Sequence, residues 1–492
     1  MGDRLSKRTV TTLPSFIAVP AYDRGAVTPG IVHLGVGAFH RAHQAAYIDD
    51  CLAAGETQWG IVGASLQSAS TADALLPQDG LYTLAERSSS GEALRVIGSI
   101  QSVLVAPQDP AALLDALADP SIKIVTLTIT EKAYLRNAVG DLDATHPGIA
   151  ADLATPEKPQ TAHGFLVEAL ARRRAAKTPP FTVLSCDNLP ANGETLHRLL
   201  VQFAALRDPV LARHLAEDVA CPSSMVDRIV PATTDADRAK VSVALGVEDA
   251  WPVTTEPFRQ WVIEDNFPSG RPAWEKFGVT MVRDVRPFEE MKLRLLNGAH
   301  SSIAYLGLLS GHETVAASFG DPAIRRFVDA LWSEAIPTLP ENAGLDPQAY
   351  IAALSERFAN TALAHRTAQI ANDGSQKLPQ RIIGSALDRL DAGTSADHLM
   401  LTVAAWAHAA ELRGSRLPAG HFTDPLDGQL SDLASNPSAA ETVVRVFDIA
   451  GFGGNSLHRE QLKALVSAHL ETLRKGGVAA ALSALSSGEN PA

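Results

Sequence analysis

Cysteine is scarce in this chain: 3 of 492 residues, Cys51, Cys186 and Cys221. An odd, scattered set with no C-x-x-C spacing excludes a disulfide framework and a zinc site built on thiolates. A reducing, cytoplasmic setting is the expectation. Long apolar runs are also missing, and none approaches the ~20 residues of a membrane-spanning helix. The opening "MGDRLSKRTVTTLPSF" carries basic residues but no apolar stretch, so it does not read as a secretory leader. Met1-Gly2 begins like an acylation signal, but Arg4 and its neighbours are the wrong context. Positive charge is in deficit: 42 Lys and Arg stand against 55 Asp and Glu, a net charge of −13. That argues against nucleic acid or an anionic membrane as partner. It leaves room for an anionic small molecule held in a local basic pocket. There is no fixed-period repeat and no low-complexity linker.

What is present is the composition of an ordinary globular protein, 46% hydrophobic and 20% charged, in a chain too long for a single core. The first half alternates apolar strands with helices. "PGIVHLGV" (29–36), "WGIVGASL" (59–66), "LRVIGSIQSVLV" (94–105), "IKIVTLTIT" (122–130) and "FTVLSCDN" (181–188) read as strands. "GAFHRAHQAAYIDDCLAAG", "DPAALLDALADP" and "AHGFLVEALARRRAAK" read as helices. Strands apolar throughout, separated by helices, predict a parallel sheet covered on both faces. From about residue 285 the pattern becomes helical, through "FEEMKLRLLNGAHSSIAYLG", "PAIRRFVDALWSEAIPTL", "PQAYIAALSERFANTALAH", "LPQRIIGSALDRLDA", "HLMLTVAAWAHAAELRG" and "REQLKALVSAHLETLRKGG". The expected division is 1–285, an α/β Rossmann-type dinucleotide-binding domain with insertions, and 286–492, a mainly α-helical domain for substrate and catalysis. The tail "SALSSGENPA" is expected to fray.

The segment Gly35-Val36-Gly37-Ala38-Phe39-His40 follows the first strand and opens a helix. Gly35 would permit the tight turn, and Gly37 would let the backbone approach a pyrophosphate. The usual third small residue is replaced by His40, so the G-x-G pattern also fits a plain glycine turn; its place early in a βαβ series favours a dinucleotide. The second strand ends in no acidic residue: Ser65, Gln67, Ser68 and Ser70 come first, then Asp73. NAD is the expected cofactor, with NADP left open, since no arginine stands there either.

In "FEEMKLRLLNGAHSSIAYLG", Glu289, Lys292, Asn297 and His300 interrupt a helix that is otherwise apolar. At ~100° per residue they share an arc narrower than half the circumference. A helix apolar most of the way round is buried, and a buried lysine is rare unless paired or functional. The set fits a buried Glu–Lys pair with a bonded asparagine and a core histidine. It equally fits a general base, since a desolvated lysine loses basicity towards neutrality. One histidine and one glutamate at this spacing do not make a metal cage, so no metal is expected.

Seven segments, "IVHLGVGAFHRAHQAAY", "TLTITEKAY", "SCDNLPANG", "SMVDRIVPATT", "EPFRQWVIEDNF", "MKLRLLNGAH" and "DGSQKLPQR", resemble in order the mannitol dehydrogenase family, the polyol-specific long-chain dehydrogenases. The resemblance runs from about residue 29 past residue 470. It implies metal-independent, NAD(H)-dependent interconversion of a ketose or keto-uronate with its polyol or aldonate. It also implies that Lys292 is the general acid–base, that Asn297 and Asn188 form an oxyanion hole, that His300 holds a substrate hydroxyl, and that Glu289 lies on a proton path.

For the substrate, "AHRTAQIANDGSQKLPQR" offers His365, Arg366, Gln369, Lys377 and Arg381. Where mannitol 2-dehydrogenases carry an arginine eight residues before the lysine, this chain has Gln369, and the segment looks more like the uronate-reducing branch. A carboxylate wants a guanidinium or an ammonium, so Lys377, Arg366 and Arg381 are candidates, although each arginine singly also fits a surface charge. Reduction of fructuronate to mannonate is the expected reaction, with mannitol–fructose interconversion or another sugar alcohol as the alternative. A non-catalytic cofactor or sugar sensor is the reading from a different class. Its support is His40 and the missing acid after the second strand. The partners expected are small molecules, with the chain a monomer or a small homo-oligomer. Cys186 is expected to pack as a small apolar group, His43 to be structural, and "GFGGN" (451–455) to be a turn. Asp227 and Arg228 are left open between an ion pair and a cofactor-side wall.

Overall fold

A computed structural model describes residues 3–341, 344–413, 415–417, 423–431, 433 and 438–487. The chain divides into two compact units, Met1–Arg286 and Pro287–Ala492; the division expected from sequence lies one residue earlier.

Among the described residues, the first unit has eleven strands: β1 Pro29–Leu34, β2 Gly60–Ser65, β3 Tyr82–Ser88, β4 Gly91–Ile97, β5 Ile100–Val105, β6 Ile124–Leu127, β7 Thr182–Ser185, β8 Ser224–Asp227, β9 Val253–Thr255, β10 Gln260–Glu264 and β11 Thr280–Val282. Its helices are α1 Ala38–Ala42, α2 Gln44–Ala53, α3 Ser70–Leu75, α4 Pro110–Ala118, α5 Pro147–Ala154, α6 Ala162–Ala175, α7 Asn192–Arg207, α8 Pro209–Asp218 and α9 Asp235–Leu245. The central sheet is wholly parallel, in the order β5-β2-β1-β6-β7. Successive residues of its middle strands feed opposite cores. Ile31 and Ile124 join Ile61, Leu184 and the α2 side, while Val32 and Val125 join Val183 and the α4, α6 and α7 side. This is why these strands carry no polar alternation.

Two smaller sheets go beyond the expected parallel sheet. β3 pairs antiparallel with β4 and parallel with β9, and β10 lies between β8 and β11. The helix expected over "GAFHRAHQAAYIDDCLAAG" is broken at His43, whose φ of −119° and ψ of −86° separate α1 from α2.

The second unit is helical: α10 Arg286–Met291, α11 Gly298–Leu309, α12 Val315–Gly320, α13 Pro322–Ala335, α14 Pro347–Phe358, α15 Thr367–Ala371, α16 Gly374–Leu378, α17 Gly384–Asp391, α18 Asp397–Leu412, α19 Asp427–Leu430, α20 Ala439–Ala450 and α21 Arg459–Ser487. α18 is buried almost all round and packs against α11 and α21. Several boundaries differ from expectation. "PQAYIAALSERFANTALAH" is helical only to Phe358, and His365 and Arg366 lie in the loop before α15. α21 runs through "SALSS" and bends at Gly477, where φ is 69°; residues 488–492 lie outside the described set. "GFGGN" is a turn, with Gly451, Gly453 and Gly454 all at positive φ.

Candidate active site

In the first unit, β1 has β2 on one side and β6 on the other. The chain therefore leaves β1 at a switch point, where open α/β sheets bind ligands at the strand carboxyl ends. Gly35 holds φ at +96°, and a Cβ there would stand 2.2 Å from the Thr128 carbonyl oxygen. Only glycine fits so close a crossing of β1 and β6. Gly37 is exposed, and a Cβ there would meet nothing nearer than 3.9 Å. Val36 is 3% exposed and occupies the space left by the absent side chain of Gly63. Ala38 and Phe39 are half-buried, and Phe39 stacks on His43.

His40 ends the segment expected to hold the dinucleotide. Its ring is buried, stacked 3.4 Å from the ring of His33. Burial holds its pKa well below the ordinary value. The imidazole is turned into the domain, so any contact of His40 with a cofactor would be through its backbone. His33 beneath it bonds the Thr126 hydroxyl at 2.7 Å and the Gly35 carbonyl at 3.0 Å, fastening the turn from below. His43 likewise bonds the Gln260 carbonyl at 2.8 Å. Arg228 is buried and tied to Glu86 and to the carbonyls of Ala42 and Glu256.

Asn188 lies exposed just past the carboxyl end of β7. Its turn is pinned by its neighbours. The Asp187 carboxylate accepts from the Ile129 and Thr130 amides and from the Tyr134 hydroxyl at 2.8 Å. The amide nitrogen of Asn192 donates to the carbonyls of Ser185, Asp187 and Ser224. Burial raises the Asp187 pKa against the pull of those bonds. Cys186 is 2% exposed, and burial pushes its thiol pKa up.

In the second unit, the helix expected from Phe288 to Gly307 is interrupted. Between α10 and α11, residues Lys292–Asn297 form a π turn. The Gly298 amide donates to the Leu293 carbonyl, five residues back. The extra residue per ring takes back about 100° of rotation. On a plain α-helix Asn297 and His300 would stand about 140° and 80° from Lys292. With the π turn they fall about 40° to one side and 20° to the other, and Glu289 stays about 60° away. The four side chains thus share an arc of about 80°. π turns of this kind recur at functional sites.

Lys292 is 8% and His300 7% exposed, while Glu289 and Asn297 are half-buried. A π turn leaves carbonyls that the α ladder does not serve, and the Trp332 indole donates to that of Leu295 at 3.0 Å. A second π turn, Pro379–Ile383, follows α16 and replaces the α-helix expected over "LPQRIIG". Pro379, lacking an N–H, begins it. The two π turns touch at Gly298, where a Cβ would stand 3.0 Å from the Arg381 carbonyl.

The substrate candidates are distributed unevenly. Arg381 donates to the Ser301 hydroxyl at 3.2 Å, beside His300. Lys377 is half-buried and gives its ammonium to the Asn372 carbonyl at 2.7 Å, with Asp373 at 3.6 Å. Burial and then Arg381 lower its pKa, opposed by Asp373. Arg366 and Gln369 are exposed on α15 and its N-cap. Ser301, a neighbour of His300 that was not among the candidates, is marked in sequence only by adjacency. His365, offered with its segment, meets the His300 ring edge-on, 5.4 Å between centroids. Phe358 covers His300 from another side at 4.7 Å. Burial, then His365, Arg357 and Arg381, hold the His300 pKa well below ordinary. Among the described residues no group of three or more His, Cys, Asp or Glu is placed to hold a metal ion.

Two family models match in tandem: the mannitol dehydrogenase Rossmann domain over residues 29–276 and the mannitol dehydrogenase C-terminal domain over residues 284–473. The chain belongs to the mannitol dehydrogenase family. It is accordingly an oxidoreductase acting on a CH–OH group, and a mannitol dehydrogenase Rossmann domain followed by a helical domain is the family's architecture. D-mannonate oxidoreductase of Escherichia coli is 41% identical over 94% of this chain and 96% of its own. Mannitol 2-dehydrogenase of Cereibacter sphaeroides is also 41% identical, over 94% and 97%. The structure of Pseudomonas fluorescens mannitol 2-dehydrogenase, a ternary complex with NAD and D-mannitol, superposes with a TM-score of 0.86 at 39% identity, covering 98% of this family member and 99% of that chain.

Proposed function

We propose that this chain is an NAD(H)-dependent reductase of a 2-keto sugar acid, with fructuronate and mannonate as the pair it interconverts. The observation that carries the mechanism is the π turn, which gathers Lys292, Asn297 and His300 onto one face of a buried helix. The residues of the first unit fit a dinucleotide: Gly35 makes the tight turn, exposed Gly37 leaves the backbone open to a pyrophosphate, and the turn stands at the sheet's switch point. Bound NADH would supply a hydride to the carbonyl carbon.

The chain's own residues do the rest. The Lys292 ammonium gives its proton to the oxygen as hydride arrives, and takes it back in the reverse direction. Asn297 donates to that oxygen as negative charge develops. Asn188 is a second amide donor in the same reaction, Glu289 returns the proton towards solvent, and His300 holds a hydroxyl of the sugar. The acid substrate is favoured because Arg357 and Arg381 both act on His300 and Arg381 bonds the residue beside it. A carboxylate finds its best partner in such a guanidinium.

D-Mannitol oxidation is the second reading, supported by the likeness to the two mannitol 2-dehydrogenases. Offering D-fructose and D-fructuronate side by side with NADH and with NADPH decides between them. A large preference for fructose in kcat/KM would sink the uronate assignment. Lys292→Ala should lower kcat by about 10²–10⁴-fold with NADH binding kept; undiminished turnover would refute the mechanism.

A further inference from the structure

His365 has no assigned task, yet it is firmly placed. Its amide donates to the Leu363 carbonyl at 2.8 Å, and its carbonyl accepts from the Val315 amide at 3.0 Å. The next two residues lead straight into α15, where the Thr367 amide donates to the Glu313 carbonyl at 3.1 Å and its hydroxyl donates to the His312 carbonyl at 2.8 Å. The loop that carries His365 is therefore strapped to the connection between α11 and α12. The ring stands edge-on to His300, at 87° between planes.

Two nitrogens on these facing rings are orphaned. His300 Nε2 and His365 Nδ1 are both buried and make no hydrogen bond with the protein. A buried polar atom left unsatisfied costs about 1–3 kcal/mol, and such atoms call for an explanation. Burial, then Arg357, lowers the His365 pKa to about 4, so both imidazoles are neutral near pH 7. A neutral imidazole nitrogen is either a donor or an acceptor, according to tautomer. One donor and one acceptor complement a hydroxyl, which accepts from the first and donates to the second. A carboxylate oxygen, an acceptor only, would require both nitrogens to be protonated.

We propose that His365 is a substrate-binding residue whose Nδ1, together with Nε2 of His300, clasps one secondary hydroxyl of the sugar chain away from the reacting carbon. The inference deepens the proposed function and rests on its assignment of His300 to substrate. It does not depend on which hexose is reduced, because ketoses and keto-uronates share these hydroxyls.

The test uses the full chain, His365→Leu and His365→Asn, with the ketose or keto-uronate that the wild type turns over fastest and a set of its monodeoxy analogues. His365→Leu should raise KM at least tenfold, with kcat within about threefold and the NADH Kd unchanged. His365→Asn, whose carboxamide reaches the place of Nδ1, should recover most of that loss. One deoxy analogue should cost the wild type a similar factor and cost His365→Leu little more, since residue and hydroxyl would then be removed as a pair. An unchanged KM in a folded His365→Leu enzyme overturns the inference alone. So does a penalty that is the same for every deoxy analogue in both enzymes. A wild type inactive towards every ketose and keto-uronate overturns this inference and the proposed function together.

Discussion

Two glycines separated by a single residue should respond to the same substitution in opposite ways. Gly35 holds φ at +96°, and an added Cβ would lie 2.2 Å from the Thr128 carbonyl oxygen. A side chain held in such a backbone region costs about 1–3 kcal/mol. Driving β1 and β6 apart to relieve the contact adds about 1–3 kcal/mol, as in other overpacked cores. Gly35→Ala should therefore destabilise the first unit by about 4 kcal/mol. At about 2–4 °C per kcal/mol for a domain of this size, its Tm falls by roughly 8–16 °C. Gly37 has an ordinary φ of −88°, and its Cβ would meet nothing closer than 3.9 Å. Gly37→Ala should change stability by no more than the about ±0.5 kcal/mol typical of surface changes, leaving Tm nearly unmoved. The new methyl lies where a pyrophosphate must approach, so NADH affinity should fall about tenfold or more, equivalent to about 1.4 kcal/mol. Thermal unfolding without cofactor reads the first effect, and NADH fluorescence titration reads the second. A Gly37→Ala enzyme that binds NADH like the wild type would refute the placement of the cofactor; a Gly35→Ala enzyme with unchanged Tm would refute the packing argument.

Trp332→Phe removes the side-chain donor to the Leu295 carbonyl within the π turn. The Gly298 amide still donates to that carbonyl, so losing the indole bond should cost about 0.5–1.5 kcal/mol and lower kcat more than it changes the NADH Kd; a kcat matching the wild type would show that the turn does not need the bond. Acid should weaken the first unit through His163, whose pKa burial lowers to about 4. Because the folded value lies below the unfolded one, near 6.5, the unfolded chain binds the proton first. Stability is then whole above pH 6.5 and lost as pH falls towards 4. The loss attributable to this residue at pH 5 is about 2 kcal/mol. Urea midpoints at pH 7 and pH 5 should differ less in His163→Leu than in the wild type; an equal difference would place the acid sensitivity elsewhere.

The parallel sheet was legible because each of its strands is apolar on both faces, a pattern that only burial between helical layers explains. The β3–β4 hairpin was also written there, as alternation around "RSSSGE", but it stood next to a stronger helical and strand pattern and passed unread. The grouping of Glu289, Lys292, Asn297 and His300 could be anticipated from a uniform 100° step, but that step was wrong for six residues. No propensity marks a π turn: it depends on Trp332 and on the second π turn around Arg381, both distant in sequence. His40 is placed by a partner ring rather than by its position in the chain. A histidine after a glycine turn suggests a ligand contact, whereas stacking on His33 inside the domain decides its place. His365 was legible only as one of several polar residues in its segment, because what singles it out is the ring it faces, not its neighbours along the chain.

The π turn also makes the helix sensitive to counting. Any residue between Leu293 and Leu296 can be exchanged for another of similar size at modest cost, since the backbone pattern would survive. Deleting one of them is a different event. The segment can then close as plain α-helix, and the lost step of about 100° cancels the equal rotation that the π turn takes back, so Lys292 still faces His300. An inserted residue adds a step with nothing to cancel it and turns Lys292 about 100° away from His300, with composition, hydrophobicity and burial hardly changed. Drift in this stretch should accordingly tolerate substitution and single deletions and reject single insertions. A library of one-residue deletions and insertions from 293 to 296, scored for both folding and turnover, would separate an enzyme that keeps its shape from one that keeps its alignment.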